Sequence, residues 1–336
     1  MASDTRIHPT PHVLALDVGG TRVKAALTGA DGKVLHSVTR ATGRERGPEA
    51  VVESIVSSAA ALQALGEQRF GEPASAAGIA VPGIVDTDSG TAVYAANLGW
   101  RDVPLRSLLA RRLDGIPVTL HHDVRAGGLA ESRIGAARGV DRFLFVALGT
   151  GIAGAIGIAG HVEAGAHGSA GEIGHVVIRP GGPRCACGQL GCLEQFASAA
   201  AVGRAWAEAC GAPGADAADC VAAMAAGDPK AQHVWQDAVA ALADGLLTVL
   251  TLLDPHTLVI GGGLAAAGDA LFAPLHAALA RRVTFQQLPE IVPAALGDTA
   301  SCLGAGLLAW DLLKTDDAVE RHVRTVPPRA GRRFLL

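Results

Sequence analysis

One histidine and three cysteines stand at spacings that suit a metal site. His175 is followed by Cys185 ten residues later, by Cys187 after two more and by Cys192 after a further five. One imidazole and three thiolates form a closed tetrahedral set for Zn²⁺, and because four protein ligands leave no position for water, the predicted role of the zinc is structural. The alternatives are unliganded thiols, or a nucleic-acid zinc module, which is disfavoured because Arg184 is the one basic residue next to the cysteines and no basic helix follows.

Two carboxylates flank the cysteines. Glu172 and Glu194 can each bridge two neighbouring hydroxyls of a hexose, since a carboxylate is a charged acceptor with two oxygens. His175 can serve twice, with one ring nitrogen on zinc and the other donating to a hydroxyl. A solvated surface position is the alternative for each glutamate.

A third carboxylate, Asp123, ends the apolar strand PVTLHH between two parts of the chain with the same strand pattern, where clefts form. It is a candidate base, because phosphoryl transfer needs a carboxylate to accept the proton of the attacking hydroxyl and to align its oxygen. A cap on the helix that begins VRAGGLAES is the alternative, and the two roles are compatible.

Three glycine turns each follow an apolar strand, and their bare amides allow close approach by phosphate or adenosine. Asp17 precedes the first turn, where an uncompensated carboxylate is costly, which favours a water-mediated Mg²⁺ contact over a turn cap. No Walker-type Gly-Lys-Ser or Gly-Lys-Thr follows these turns, and the triple glycine is a poor dinucleotide fingerprint, so a hydride-transfer enzyme is a weak rival. The predicted nucleotide-binding residues are Asp17, Gly19, Gly20, Thr21, Gly149, Thr150, Gly151, Gly261, Gly262 and Gly263.

The elements that must position these residues alternate between strands and helices, which predicts an α/β fold. Residues 13–40 predict three antiparallel strands, and the same pattern begins again at Arg142, which suggests that one lobe plan is duplicated. Further strands are predicted over 76–81, 117–121 and 257–260. Helices are predicted over 48–66, 105–113, 198–209, 217–226, 228–253, 268–281 and 301–313.

The length of 336 residues exceeds one ordinary core, so two lobes are expected. The predicted divisions are a leader over 1–12, a small lobe over 13–121 completed by the helix over 301–313, a large lobe over 122–300 with the zinc loop at 172–198, and a loosely held tail over 314–336.

Composition and charge exclude several classes of protein. A net charge of −4 gives no general attraction to nucleic acid or to anionic membranes, and the first residues lack the apolar core of a signal peptide. The uncharged run 143–160 has the length of a membrane span, but its five glycines suit two buried strands joined by a turn. We expect a cytoplasmic protein with reduced thiols, in which Cys210, Cys220 and Cys302 are small buried hydrophobes.

The motifs above resemble those of the ROK family (repressors, open reading frames and sugar kinases) over residues 13–313. The stretch CACGQLGCLE from Cys185 to Glu194, followed by Ser198, resembles the family signature. The other matching stretches are Glu172–His175 as sugar and zinc motif, Asp17–Thr21 and Leu148–Gly151 as phosphate loops, and Ile260–Gly263 as adenosine motif.

The resemblance implies the two-lobed, actin-like ATPase fold of hexokinase type, which is ribonuclease H-like, with a cleft between the lobes. It also implies ATP and Mg²⁺, a structural Zn²⁺, a homodimer or dimer of dimers, and Asp123 as catalytic base. The implied sugar contacts are Gly83, Asn97, Asp123, Glu172, His175 and Glu194.

His122 departs from the family pattern, which has Asn before the catalytic Asp. Neutral imidazole offers one donor and one acceptor on separate ring nitrogens, with a different reach from an amide. We therefore expect His122 to contact the sugar and to bear on which sugar is bound.

The expected activity is transfer of the terminal phosphate of ATP to the 6-hydroxyl of a gluco-configured hexose, glucose or N-acetylglucosamine. Kinases for N-acetylmannosamine, fructose or allose, polyphosphate as donor, and a non-catalytic sugar-sensing regulator are the alternatives. Family repressors carry a winged helix-turn-helix before the first phosphate loop, for which 12 residues are too few. Retention of Asp17, Thr21 and Asp123 favours an enzyme over a silent receptor.

Overall fold

The computed structural model describes the backbone of residues 10–325 and the side chains of residues 10–314. Within this range, the strands are β1 (Val13–Val18), β2 (Arg22–Thr28), β3 (Val34–Ala41), β4 (Ala77–Val81), β5 (Ile84–Asp86), β6 (Thr91–Ala95), β7 (Trp100–Val103), β8 (Val118–His122), β9 (Arg142–Leu148), β10 (Ile152–Ile158), β11 (His161–Val162), β12 (Thr257–Gly261) and β13 (Glu290–Pro293). The helices are α1 (Pro48–Phe70), α2 (Leu105–Arg112), α3 (Asp123–Ile134), α4 (Glu194–Ala197), α5 (Ala199–Cys210), α6 (Ala217–Ala225), α7 (Pro229–Leu253), α8 (Asp269–Ala280) and α9 (Ala300–Thr325).

The chain divides into two compact units. The first comprises Met1–His121 with Ala305–Leu336, and the second comprises His122–Gly304. Parts of the predicted leader and tail, residues 1–9 and 326–336, lie outside the described residues.

The first unit has a five-stranded sheet in the order β3-β2-β1-β4-β8. β1 pairs antiparallel with β2, with Val13 opposite Thr28, and parallel with β4. Both β1 and β4 are nearly all apolar and buried, as expected for strands that are covered on both faces. Helix α1 packs against β1 and β2, while Ala309 and Trp310 of α9 pack against Val13. The glycine turn after β1 is thus held by a well-packed sheet.

A three-stranded sheet, β5-β6-β7, also belongs to the first unit and has no counterpart among the predicted elements. Its strands are only three to five residues long and mix polar with apolar side chains, so their periodicity is weak. Trp100 is almost completely buried, and its indole N–H donates to the carbonyl of Pro48 at 3.2 Å. This contact fixes the small sheet against the start of α1.

The second unit repeats the arrangement of the first sheet, in the order β11-β10-β9-β12-β13. β9 and β10 form an antiparallel hairpin in which Leu148 lies opposite Ile152, and β12 runs parallel to both β9 and β13. The predicted recurrence of the strand pattern at Arg142 is therefore confirmed.

Helix α7 is the centre of a group of helices in the second unit and packs against α5, α6 and α8. The side chain of Asp228 caps α7 by accepting hydrogen bonds from the N–H groups of Lys230 and Ala231, and Pro229 occupies the first turn. α7 is long and apolar enough to cross a membrane, but half of its apolar window is buried inside the structure, with Trp235 and Leu246 in the core. The packing of α7 is that of a core helix.

Two expectations differ from the structure. Cys220 and Cys302 are buried as predicted, but Cys210 is exposed, because it is the last residue of α5 and Gly211 turns the chain away in a left-handed conformation.

The final helix is predicted to end at residue 313, yet α9 continues to Thr325, so the first part of the predicted loose tail is helical. Polar residues continue an amphipathic helix as well as they form a tail, so composition alone did not distinguish the two.

Candidate active site

The predicted base, Asp123, is the first residue of α3 and follows β8 without a loop. Its side chain is 25% exposed, and Oδ1 accepts a hydrogen bond from the backbone N–H of Val124 at 2.7 Å. The N-terminus of a helix favours a negative charge. His122 is the N-cap residue of α3, so Asp123 does not occupy the cap position, and its carboxylate is held in place while it still reaches solvent, which suits a proton acceptor.

His122 lies between two carboxylates. Its Nδ1 is 3.4 Å from Oδ1 of Asp123, and its Nε2 is 3.7 Å from Oε1 of Glu172. Nδ1 is buried without a hydrogen-bond partner, so its approach to Asp123 is not a hydrogen bond. Burial lowers the pKa of His122, despite the opposing charge of Asp123. The imidazole is therefore neutral at neutral pH.

Arg125 is a buried cation beside this pair that the sequence did not single out. It follows Asp123 by two residues on α3, is only 8% exposed, and donates from Nη1 to the carbonyl of Gly168 at 2.9 Å. Burial lowers the pKa of the guanidinium, opposed by the charge of Glu172, but an arginine stays protonated in proteins. The sequence signal is weak, since one basic residue among small ones at a helix start is usually solvated.

The four predicted metal ligands come together. Their ligand atoms all lie within 4.8 Å of one another, with 3.6 Å between Nδ1 of His175 and Sγ of Cys185, and 3.7 Å between the sulfurs of Cys187 and Cys192. With Zn–S distances of about 2.3 Å, the edges of a coordination tetrahedron measure about 3.8 Å. The donor set and its spacing therefore fit a tetrahedral zinc.

The Cys192 thiol requires a bound cation if it is to be ionised at neutral pH. Burial raises the pKa of the Cys192 thiol to about 12. A positive charge is needed to hold such a thiol as a thiolate at neutral pH, and a coordinated metal supplies it. The cysteine loop is itself a small hairpin, closed by the N–H of Cys185 donating to the carbonyl of Gln189 at 2.8 Å.

The chain segments before and after the cysteines both contact Ile152, the first residue of β10. Oε2 of Glu194 accepts a hydrogen bond from the N–H of Ile152 at 2.9 Å. Gly174, in the turn that carries Glu172 and His175, packs so closely on the carbonyl of Ile152 that a side chain would overlap it. Glu194 and the turn that follows Glu172 thus contact the same strand end.

The second and third glycine turns share one cavity of about 520 Å³, a size that suits a nucleoside. The β9–β10 turn brings Thr150 to its edge, and the turn after β12 brings Gly263. Gly262 has a φ of 85°, and a Cβ there would lie 2.5 Å from the carbonyl oxygen of Leu148, so the two turns are in contact. The cavity is lined by Thr150, Ala199, Ala200, Asp216, Ala217, Ala218, Val221, Gly263, Leu264, Ala266 and Ala267.

The first glycine turn belongs to the first unit, where Thr42 anchors it. The buried Thr42 donates from its hydroxyl to the carbonyl of Gly19 at 2.8 Å and from its N–H to the carbonyl of Thr21 at 2.9 Å. Asp17 lies opposite Lys24 in the strand pairing, which places an ammonium group and the carboxylate on the same face. Sequence reasoning missed Thr42, since a lone threonine at a strand end carries no signal.

Two other predicted sugar contacts belong to the first unit: Asn97 lies near this turn, and Gly83 directly precedes β5 of the small sheet. A Cβ on Gly20 would lie 3.4 Å from Nδ2 of Asn97, so Asn97 is beside the glycine turn. Gly83 has a φ of 90° and packs against the backbone of Tyr94 and Ala95, where a side chain would overlap. Gly83 therefore has a packing role whether or not it contacts a ligand.

Comparison with known proteins gives consistent matches over nearly the whole chain. The model of the ROK family matches residues 13–311. A glucokinase of Thermotoga maritima is 36% identical over 88% of this chain and 96% of its own length, and an N-acetylmannosamine kinase of Escherichia fergusonii is 31% identical over 88% and 97%. The crystal structure of a ROK family glucokinase from Streptomyces griseus, in complex with glucose and AMPPNP, is similar with a TM-score of 0.78 and 29% identity over 89% of this chain and 99% of that one.

Proposed function

The chain belongs to the ROK family and is a sugar kinase with the α/β actin-like ATPase fold, and we propose that its acceptor is the 6-hydroxyl of a gluco-configured hexose, glucose or N-acetylglucosamine. The observation that carries this proposal is the cluster of Asp123, His122 and Glu172 at the head of α3. It combines a proton acceptor with a second carboxylate that can bind hydroxyls.

Asp123 is the proposed catalytic base. Its carboxylate accepts the proton of the 6-hydroxyl as the sugar oxygen forms a bond to the terminal phosphorus of ATP and the bond from that phosphorus to the bridging oxygen of ADP breaks. Neutral His122, 3.4 Å away, places no positive charge of its own beside Asp123. The products are the sugar phosphate, ADP and a protonated Asp123 that then loses its proton to solvent.

Further residues are proposed to contact the sugar. Glu172 and Glu194 accept from pairs of sugar hydroxyls, and His175 can bind a hydroxyl through Nε2, because its Nδ1 faces the cysteine sulfur. His122, Asn97 and Gly83 complete the proposed set. Zn²⁺ bound by the four ligands would stabilise the loop that carries the glutamates.

ATP is the proposed donor, held by the glycine turns. The cavity at Thr150 and Gly263 is proposed to take adenosine, and the amides of the first and second turns to bind phosphates. Asp17 is a half-buried carboxylate beside the first turn, and one such group fits Mg²⁺, which neutralises phosphate charge and keeps most of its waters. A homodimer or dimer of dimers in the cytoplasm, without nucleic-acid or membrane partners, is the proposed assembly and location.

The test is a coupled assay of ADP release with Mg-ATP over glucose, N-acetylglucosamine, N-acetylmannosamine, fructose and allose. We expect the highest kcat/KM on glucose or N-acetylglucosamine. A clear preference for one of the other three sugars would overturn the gluco assignment. Tight sugar binding in calorimetry without turnover on any sugar, with ATP or polyphosphate, would instead indicate a sugar-sensing regulator.

A further inference from the structure

Arg125 joins two parts of the second unit that each carry a group of the proposed site. It lies on α3, two residues after Asp123, and its Nη1 binds the carbonyl of Gly168, in the loop that leads into Glu172. Only 8% of Arg125 is exposed, so it is not an ordinary surface cation. A buried charge is costly unless hydrogen bonds and counter-charges compensate it, so the burial of Arg125 points to a role.

The loop over residues 163–171 is a compact turn with fixed ends. At its base, the N–H of Ala170 donates to the carbonyl of Ala164 at 3.1 Å, and the N–H of Gly154 in β10 donates to the carbonyl of Gly171 at 2.7 Å. Its tip is more exposed, and Gly168 at that tip is the residue that Arg125 binds. The position of Glu172, the next residue after the loop, therefore depends on both the base and the tip.

The charges around Arg125 are arranged to compensate it. The carboxylates of Glu172 and Asp123 both act on the guanidinium, and His122 between them is neutral. A planar guanidinium with five donors can bind a carbonyl and still face two acidic groups, which a lysine ammonium on a flexible stem does less well. Arginine therefore suits this position better than lysine.

We propose that Arg125 is a positioning residue of the sugar site, which fixes the loop that carries Glu172 to the helix that carries Asp123 and so sets the separation of the sugar-binding carboxylate from the base. This inference rests on the proposed function for its kinetic consequence. Its structural consequence, an ordered loop over 163–171, does not depend on activity.

The test compares Arg125→Met and Arg125→Lys with Arg138→Met, a matched control at an exposed arginine just after α3. For Arg125→Met we expect the KM for the sugar to rise about 10- to 100-fold with a smaller loss in kcat, since misplacement by 1 Å can cost about 100-fold. The KM for ATP should stay within about twofold, and Arg125→Lys should recover part of the loss. The control should match the wild-type protein.

Hydrogen exchange of the segment 163–172 provides a readout without turnover. We expect faster exchange there in Arg125→Met, with unchanged exchange in β9 and β10. Unchanged exchange together with an unchanged KM for the sugar would overturn the proposal. Equal rises in the KM for the sugar and in the KM for ATP, together with a lower melting temperature, would also overturn it, because they indicate a general structural role. A wild-type protein without kinase activity would refute the proposed function instead, and the exchange experiment would still decide whether Arg125 orders the loop.

Discussion

The Nε2 atom of His122 lies 3.7 Å from Oε1 of Glu172, and the other ring nitrogen of His122 lies 3.4 Å from Asp123. One buried ring is therefore shared by the proposed base and a proposed sugar-binding carboxylate. Burial lowers the pKa of His122, so the ring remains neutral until the pH falls below the usual histidine range. Protonation would place a cation between the two carboxylates and alter both.

The free energy of unfolding should depend on pH through His122. Because its pKa is lower in the folded chain than the value of about 6.5 expected when unfolded, the unfolded chain binds the proton first as the pH falls. Stability should therefore be fully present above pH 6.5 and fall below it, by at most about 1.4 kcal/mol per pH unit from this residue. In His122→Asn, urea unfolding between pH 5 and 8 should show a shallower decline. Parallel curves for the two proteins would contradict this.

Asp123→Asn should remove the proposed base. An amide cannot accept the proton of the attacking hydroxyl, so we expect kcat to fall about 10²- to 10⁴-fold, while sugar affinity measured by calorimetry changes little. The matched control is Asp141→Asn, at an exposed aspartate just before β9, which should keep wild-type kinetics. A loss of less than about tenfold in Asp123→Asn would show that another group accepts the proton.

Most of the fold could be predicted from the sequence because its elements carry strong local signals. The strand, glycine turn and strand pattern located β1 with β2 and β9 with β10, and an Asp-Pro start located α7. The small sheet β5-β6-β7 was missed, since its short strands are defined by pairing with each other and not by their own periodicity. The end of α9 was missed because nothing in its polar turns marks a stop.

The site was predictable where residues are clustered in the sequence and not where they meet only in space. The four metal ligands lie within 18 positions, and their atoms do come together. His122 was predicted as a sugar contact because it departs from a family pattern, but its place between two carboxylates depends on the fold. Arg125 and Thr42 were missed, because a buried arginine and a buried threonine acquire their roles from backbone carbonyls that are distant in sequence.

The proposed zinc should contribute to stability more than to chemistry, because four protein ligands leave no open position. We expect about one zinc per chain by elemental analysis, and a loss of zinc with a fall in melting temperature of at least about 5 °C in Cys187→Ser. Cys210→Ser is the matched control, since both cysteines are exposed and only Cys187 belongs to the cluster. Equal zinc content and equal melting temperatures in the two variants would be incompatible with this assignment.

Gly262 and Gly263 should respond differently to the same substitution. Gly262 has φ 85° and ψ 176°, a conformation that is essentially restricted to glycine, and a Cβ there would also press on the carbonyl of Leu148. We expect Gly262→Ala to lower the free energy of unfolding by about 1 to 3 kcal/mol and, because the displaced backbone leads into Thr150, to raise the KM for ATP more than that for the sugar.

Gly263→Ala is the matched control for this effect, because no atom lies within 4 Å of the position its Cβ would take. Its free energy of unfolding should stay within about 0.5 kcal/mol of the wild-type value, as for ordinary substitutions away from the core. The measurements are urea unfolding of both variants and separate KM values for ATP and for the sugar. Equal destabilisation by the two substitutions would mean that the contact between the glycine turns does not set the cost, and an unchanged KM for ATP in Gly262→Ala would separate this contact from nucleotide binding.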